Sequence, residues 1–179
     1  MSSARDRILD AYERQILAGG ERGTTLDAVA ADAGVSKGGL LYHFSSKDSL
    51  RSSLLERLVE RSQIDAAEMP QLPEDAVRLF VESSADTADQ LHSTFLASQT
   101  LARNGHADAA EAIRTVEQGW YDRLAEATGD PLVARMAQLI GDGIYDNAAI
   151  DPGGDGFTLT PSAEEREAIT EALISLLDR

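Results

Sequence analysis

The stretch Thr25–Leu50, TLDAVAADAGVSKGGLLYHFSSKDSL, encodes two short helices, a glycine turn and a row of polar side chains. Leu26, Val29, Ala30 and Ala33 recur at i, i+3, i+4 and i+7, a narrow apolar stripe whose alanines allow close helix contact. Thr25 is a natural N-cap, and Gly34 can take the left-handed conformation that ends a helix at no steric cost. Val35 follows as an apolar residue and Ser36 can cap a second helix. The whole reads as a helix-turn-helix.

The second helix carries Gly38 and Gly39 side by side, each costing about 1 kcal/mol relative to alanine in a helix interior. Stability alone would not choose them, whereas bare backbone lets a helix approach a groove closely. Ser36, Lys37, Tyr42 and His43 offer donors to phosphates and base edges. A flexible loop is the alternative, but the capped helix before it, the inward anchors Leu40 and Phe44, and the helix capped by Ser46 all favour a helix. Lys47 sits in the first turn of that next helix, where the dipole disfavours a cation; a phosphate neighbour is the expected explanation.

With these residues the segment resembles the N-terminal domain of TetR-family transcriptional regulators, and GVSKGGLLYHFSSKDSL is similar to that family's recognition-helix signature. The resemblance implies phosphate contacts from Thr25, Ser36, Lys37, Tyr42, His43 and Lys47, with Lys37 and Gly38 nearest the bases. Gly39 stands where many members carry Thr, Ser or Asn, Leu41 where many carry Tyr, and Asp27 where a basic or polar residue is frequent. It also implies a small-molecule effector, a palindromic double-stranded DNA operator and a homodimer. RTVEQGWYDRL and QLIGDGIYDNAAI resemble the actinobacterial multidrug-responsive branch, which implies a planar aromatic or cationic effector.

The net charge of −15 weighs against DNA binding until its distribution is read. Residues 1–47 hold six Lys or Arg and six Asp or Glu, leaving 10 of the 16 basic and 25 of the 31 acidic residues for the rest. A neutral head with Arg5, Lys37 and Lys47 can meet DNA, while an acidic body disfavours non-specific wrapping. The charged start MSSARDRILDAYERQ does not resemble a signal peptide, and no stretch approaches the roughly 20 apolar residues of a membrane span. A cytoplasmic protein without membrane association is expected. Zero cysteines exclude disulfides and thiolate chemistry.

The fold expected is all-α, about nine helices: a three-helix DNA-binding domain over 1–47 and a larger effector-binding and dimerisation domain over 48–179. Helix 1 spans about Ala4–Leu17 and ends at Gly19, Gly20 and Gly23; helix 4 runs from Ser46 to about Met69. Later helices are expected over Pro73–Ala88, Gln90–Arg103, Ala107–Ala127, Pro131–Ala149 and Pro161–Leu177, with Asp151–Leu159 as loop. Along helix 8, Leu132, Met136, Leu139, Ile140, Gly143 and Asn147 recur at helical spacing. The wide apolar faces of helices 8 and 9 are expected to dimerise through Leu139, Ile169, Leu173 and Leu176.

No catalytic, metal or cofactor site is expected: the three histidines lack an i, i+4 ligand partner, and no phosphate loop or nucleophile motif occurs. An effector pocket would draw on Phe80, Phe95, Gln99, Trp120 and Tyr145, each with a plain alternative as core. Asp142 and Asp146 lie one turn apart, where a solvated face is the simpler reading. A helical ligand-binding or scaffold protein that has lost DNA binding is the alternative to a regulator.

Overall fold

A computed structural model of the chain describes residues 3–86, 89–150 and 158–177. Among the described residues the elements are α1 (Ala4–Gly23), α2 (Leu26–Asp32), α3 (Lys37–His43), α4 (Lys47–Ala67), α5 (Pro73–Ser83), α6 (Gln90–Arg103), α7 (Ala107–Thr128), α8 (Pro131–Ile150) and α9 (Ala163–Ile174), with no strand. Of the expected loop Asp151–Leu159, residues 151–157 lie outside the described residues, as do the last two of the expected helix Pro73–Ala88.

Two compact units form. The first comprises the chain up to Arg61 together with Gln90–Val116, and the second Ser62–Asp89 together with the chain from Glu117 onward. In the first, α1 packs on α2 and α6, and α2 on α3. Ile8, Leu9, Tyr12, Ile16, Val29, Leu40, Leu50, Leu54, Leu58 and Leu101 are buried. Glu13, also buried, accepts hydrogen bonds from Ser93 and Thr94, so its carboxylate is compensated rather than stranded.

Capping chemistry sets the helix starts. Ser3 and Asp6 form a reciprocal capping box on α1, as do Ser162 and Glu165 on α9. The glycines near the end of α1 act differently from the expectation: only Gly20 breaks the helix, at φ 71°, and helical turns resume to Gly23. The last helix is shorter than expected because Ser162 caps it beyond Pro161, and turns replace helix after Ile174.

In the second unit α5 packs on α8 and α9. Its core gathers Val77, Phe80, Val81, Leu124, Val133, Ala134, Ala137, Ile144 and Leu173. Of the residues spaced along α8, Met136 and Ile140 pack against this core, while Leu132 and Leu139 point outward. The fully buried positions of the helix are Val133, Ala134, Ala137 and Ile144, with Gly141 among them. Small residues win that face because α5 comes so close: a Cβ on Gly141 would lie 2.5 Å from Phe80 Cε1 and 2.6 Å from Ser84 Oγ.

This contact makes a test. Gly141→Ala should lower stability, since overpacking of about 1–3 kcal/mol outweighs the roughly 1 kcal/mol that alanine gains over glycine in a helix. Gly119, within α7, has no atom within 4 Å of its added Cβ, so Gly119→Ala should raise stability by about 1 kcal/mol. Denaturant titration of both variants measures the contrast, and a gain at position 141 would show that α5 and α8 are less closely packed.

Candidate nucleic-acid interface and effector region

The helix-turn-helix is assembled by side-chain caps at both helix starts. Thr25 Oγ1 accepts from Ala28 N at 3.2 Å, and Ser36 Oγ from Gly39 N at 3.0 Å. Between them Gly34 takes φ 67°, and Val35 N donates to Ala30 O at 3.0 Å, closing the turn. Leu40 and Phe44 fix α3 to the core. Their burial turns Lys37, Gly38, Tyr42 and His43 to solvent, with Tyr42 86% exposed and its ring edge-on to His43 at 5.2 Å. Leu41 is exposed on the same helix.

The two glycines have different surroundings. A Cβ on Gly39 would lie 3.3 Å from Ser36 Oγ, crowding the cap, whereas one on Gly38 meets only Ser36 Oγ, at an ordinary 3.9 Å. Packing within the chain therefore does not require glycine at 38.

Two of the three expected DNA cations, Lys37 and Lys47, already have a carboxylate. Lys37 Nζ lies 3.0 Å from Asp27 Oδ2, and Lys47 Nζ lies 2.9 Å from Glu21 Oε1. The Lys47 pair supplies another explanation than the expected phosphate for a cation in the first turn of α4, because Glu21 from the end of α1 compensates it. The hydrogen bond from Lys47, and a second from His106, hold the Glu21 carboxyl below its ordinary range despite partial burial. Arg5 donates to Ser53 Oγ at 3.0 Å and lies 5.4 Å above the Phe44 ring. Sequence spacing had no means of finding the Glu21 and Asp27 pairs, which join separate helices.

The second unit holds a different chemistry. Phe80, Trp120 and Tyr145 belong to it, whereas Phe95 and Gln99 belong to the first unit. Trp120 meets Phe80 edge-on at 6.4 Å, and its indole N–H donates to Asp65 Oδ2 at 2.9 Å. Along α7, Glu117 shares a face with Trp120 and Tyr121; along α8, Gln138 shares one with Asp142 and Tyr145. The buried Gln138 links the helices, donating to Glu117 O at 2.9 Å and to Glu117 Oε2 at 2.8 Å. Arg135 donates to Gln138 Oε1 at 2.6 Å and sits 4.1 Å over the Tyr121 ring.

Asp142 is the outlier of this group. Burial, then repulsion from Glu117 and Asp146, pushes its carboxyl from the ordinary 3.8 up to about 7, with Arg135 opposing. Glu117 is raised by burial in the same direction, and so is the Tyr145 phenol. The solvated-face reading is thereby corrected for Asp142, which is half-buried, while Asp146 is exposed. Among the described residues, no group of three or more His, Cys, Asp or Glu side chains is placed to hold a metal ion.

Residues 8–54 match the family model described as Bacterial regulatory proteins, tetR family. Residues 74–178, more than half of the chain, match the Tetracyclin repressor-like, C-terminal domain. The chain belongs to the tetR family. It is therefore a member of a family of transcriptional regulators, not of enzymes, with an N-terminal DNA-binding helix-turn-helix and a helical C-terminal domain.

Solved structures share this fold. The multidrug binding protein EbrR complexed with malachite green is 25% identical, covers 98% of both chains and superposes with a TM-score of 0.67. A TetR-family member from Streptomyces coelicolor A3 is 23% identical over 98% of both chains, with a TM-score of 0.72. The SmeT–triclosan complex is 21% identical over 96% of this chain and 91% of that one, with a TM-score of 0.71. No curated protein compared matches the chain.

Within this tetR-family chain, the residues expected to dimerise separate into two groups. Leu139 is 63% exposed on α8, and Ile169 and Leu176 are half-buried. Leu173 is 2% exposed and sits in the core of its own unit. Its side chain is occupied within one chain, which corrects its expected place on an intermolecular surface. No helix among the described residues is long and apolar enough to cross a membrane.

Proposed function

We propose that this tetR-family regulator is a homodimeric repressor that binds a palindromic operator through residues 1–47 and is released by an aromatic, cationic effector bound through residues 48–179. The observation that carries the DNA half is the exposed face of α3, where Lys37, Gly38, Tyr42 and His43 stand outward from a helix anchored by Leu40 and Phe44. Thr25, Ser36, Gly39 and Lys47 flank it and complete the proposed contact set. Paired heads reach successive major grooves when about 34–36 Å apart, or a multiple of that. Leu139, Ile169 and Leu176 are proposed to hold them there.

The effector half rests on aromatic and acidic groups sharing the second unit. Phe80, Trp120 and Tyr145 offer ring faces, and Asp142 and Glu117 offer carboxylates whose raised proton affinities a bound cation would lower. Binding of malachite green by EbrR, a relative 25% identical, supports an effector of this kind. An effector that prefers the DNA-incompetent arrangement shifts the population off the operator.

Mobility shift with DNA flanking the gene for this protein tests the reading. Lys37→Ala should weaken operator binding at least tenfold, corresponding to about 1–3 kcal/mol for a base-edge contact. Lys47→Ala should weaken all DNA sequences alike and lower the salt slope by about one. A folded Lys37→Ala protein with unchanged operator affinity would show that α3 meets DNA by another face.

A further inference from the structure

The Lys37–Asp27 pair lies on the surface proposed to meet DNA, with side chains 56% and 70% exposed. Asp27 is in the first turn of α2 and Lys37 opens α3, so the turn at Gly34 brings them together from ten positions apart. An ion pair this exposed contributes little to folding. We infer that Asp27 is a specificity-determining residue: by holding Lys37 it disfavours phosphate contacts and favours a G·C pair in the major groove.

The chemistry follows from donor counting. A lysine ammonium has three donors, and one engaged by Asp27 leaves two for the neutral acceptors O6 and N7 of guanine. Asp27 keeps acceptor sites free and can take a hydrogen bond from N4 of cytosine. Donor beside acceptor is what a G·C pair complements across its groove edge. A phosphate instead competes with Asp27 for the ammonium and places a second negative charge beside the carboxylate. Contacts common to all sequences are thus weakened, while one base pair per half-site retains both partners.

The inference rests on the assignment of Lys37 to the DNA surface, and the test separates the two. The full chain is used to select duplexes from a random pool. Dissociation constants for the selected site and for random DNA are then measured across salt for the unmutated protein and Asp27→Asn. The substitution should tighten random-DNA binding about tenfold, steepen its salt slope by about 0.9 for one additional phosphate contact, and erase one G·C preference per half-site. In a Lys37→Ala background the same change should leave the slope unaltered.

A selected motif and specificity ratio unchanged by Asp27→Asn overturn the inference alone. Equal weakening on both DNAs also overturns it, indicating support of α2 only; a thermal melt identifies loss of folding, and Asp27→Glu should then restore binding without restoring the G·C preference. An unmutated chain that selects no sequence overturns the DNA-surface assignment together with the inference.

Discussion

Asp142→Asn should stabilise this protein increasingly between about pH 4 and pH 7, and by a constant amount above pH 7. The carboxyl has a folded-state value of about 7 against 3.8 ordinarily, so the folded chain binds the proton more tightly than the unfolded chain does. Its stabilising contribution is full below about pH 4 and is lost as pH rises through about 7. Asparagine stays neutral throughout and avoids that loss. At about 1.4 kcal/mol per unit the full shift corresponds to about 4 kcal/mol, and solvent screening of the half-buried carboxyl reduces the gain above pH 7 to about 2–4 kcal/mol. Thermal melts of both proteins across this range measure it, and a pH-independent difference would place Asp142 in open solvent.

The same carboxyl gives the effector proposal its pH signature. A cationic aromatic dye should bind more tightly as Asp142 ionises through about pH 7, because the cation relieves repulsion among Asp142, Glu117 and Asp146. Asp142→Asn should remove most of that dependence and leave neutral aromatics little affected. Fluorescence of Trp120, the sole tryptophan, reports the titration. A dye that binds both proteins alike at every pH would separate the acidic group from the effector site.

Leu173→Glu and Leu139→Glu should fail in different ways although both replace a leucine on the helices proposed to dimerise. Lost packing at the buried Leu173 costs about 2–5 kcal/mol, and a carboxylate without a partner adds to it. Against a typical total of about 5–15 kcal/mol, the variant should lose cooperative folding under ordinary conditions. Leu139→Glu changes an outward side chain, so the helical content and melting of the single chain should persist while the dimer dissociates. Sedimentation and circular dichroism distinguish the outcomes. A folded monomeric Leu173→Glu protein would remove Leu173 from the core.

The helix-turn-helix was legible in the sequence because its determinants are local. Thr25 and Ser36 each accept from the backbone N–H three residues ahead, Gly34 supplies one left-handed residue, and Leu40 and Phe44 lie one turn apart. Such features act through the backbone within a few residues and need no distant partner. The succession of helices was legible for the same reason, from prolines, caps and apolar spacing.

Only the tertiary structure decided which face each helix buries and which charges meet. Helical spacing marked Leu132, Met136, Leu139 and Ile140 along α8 alike, but the close approach of α5 at Gly141 selects the small-residue face and turns Leu132 and Leu139 out. Burial of Leu173 depends equally on neighbours distant in the chain. The pairs of Lys37 with Asp27 and Lys47 with Glu21, and the proton held on Asp142 by burial beside Glu117, arise between separate helices. One-dimensional periodicity records how apolar a face is, not how near another backbone can come to it or which carboxylate a folded turn brings within 3 Å of an ammonium.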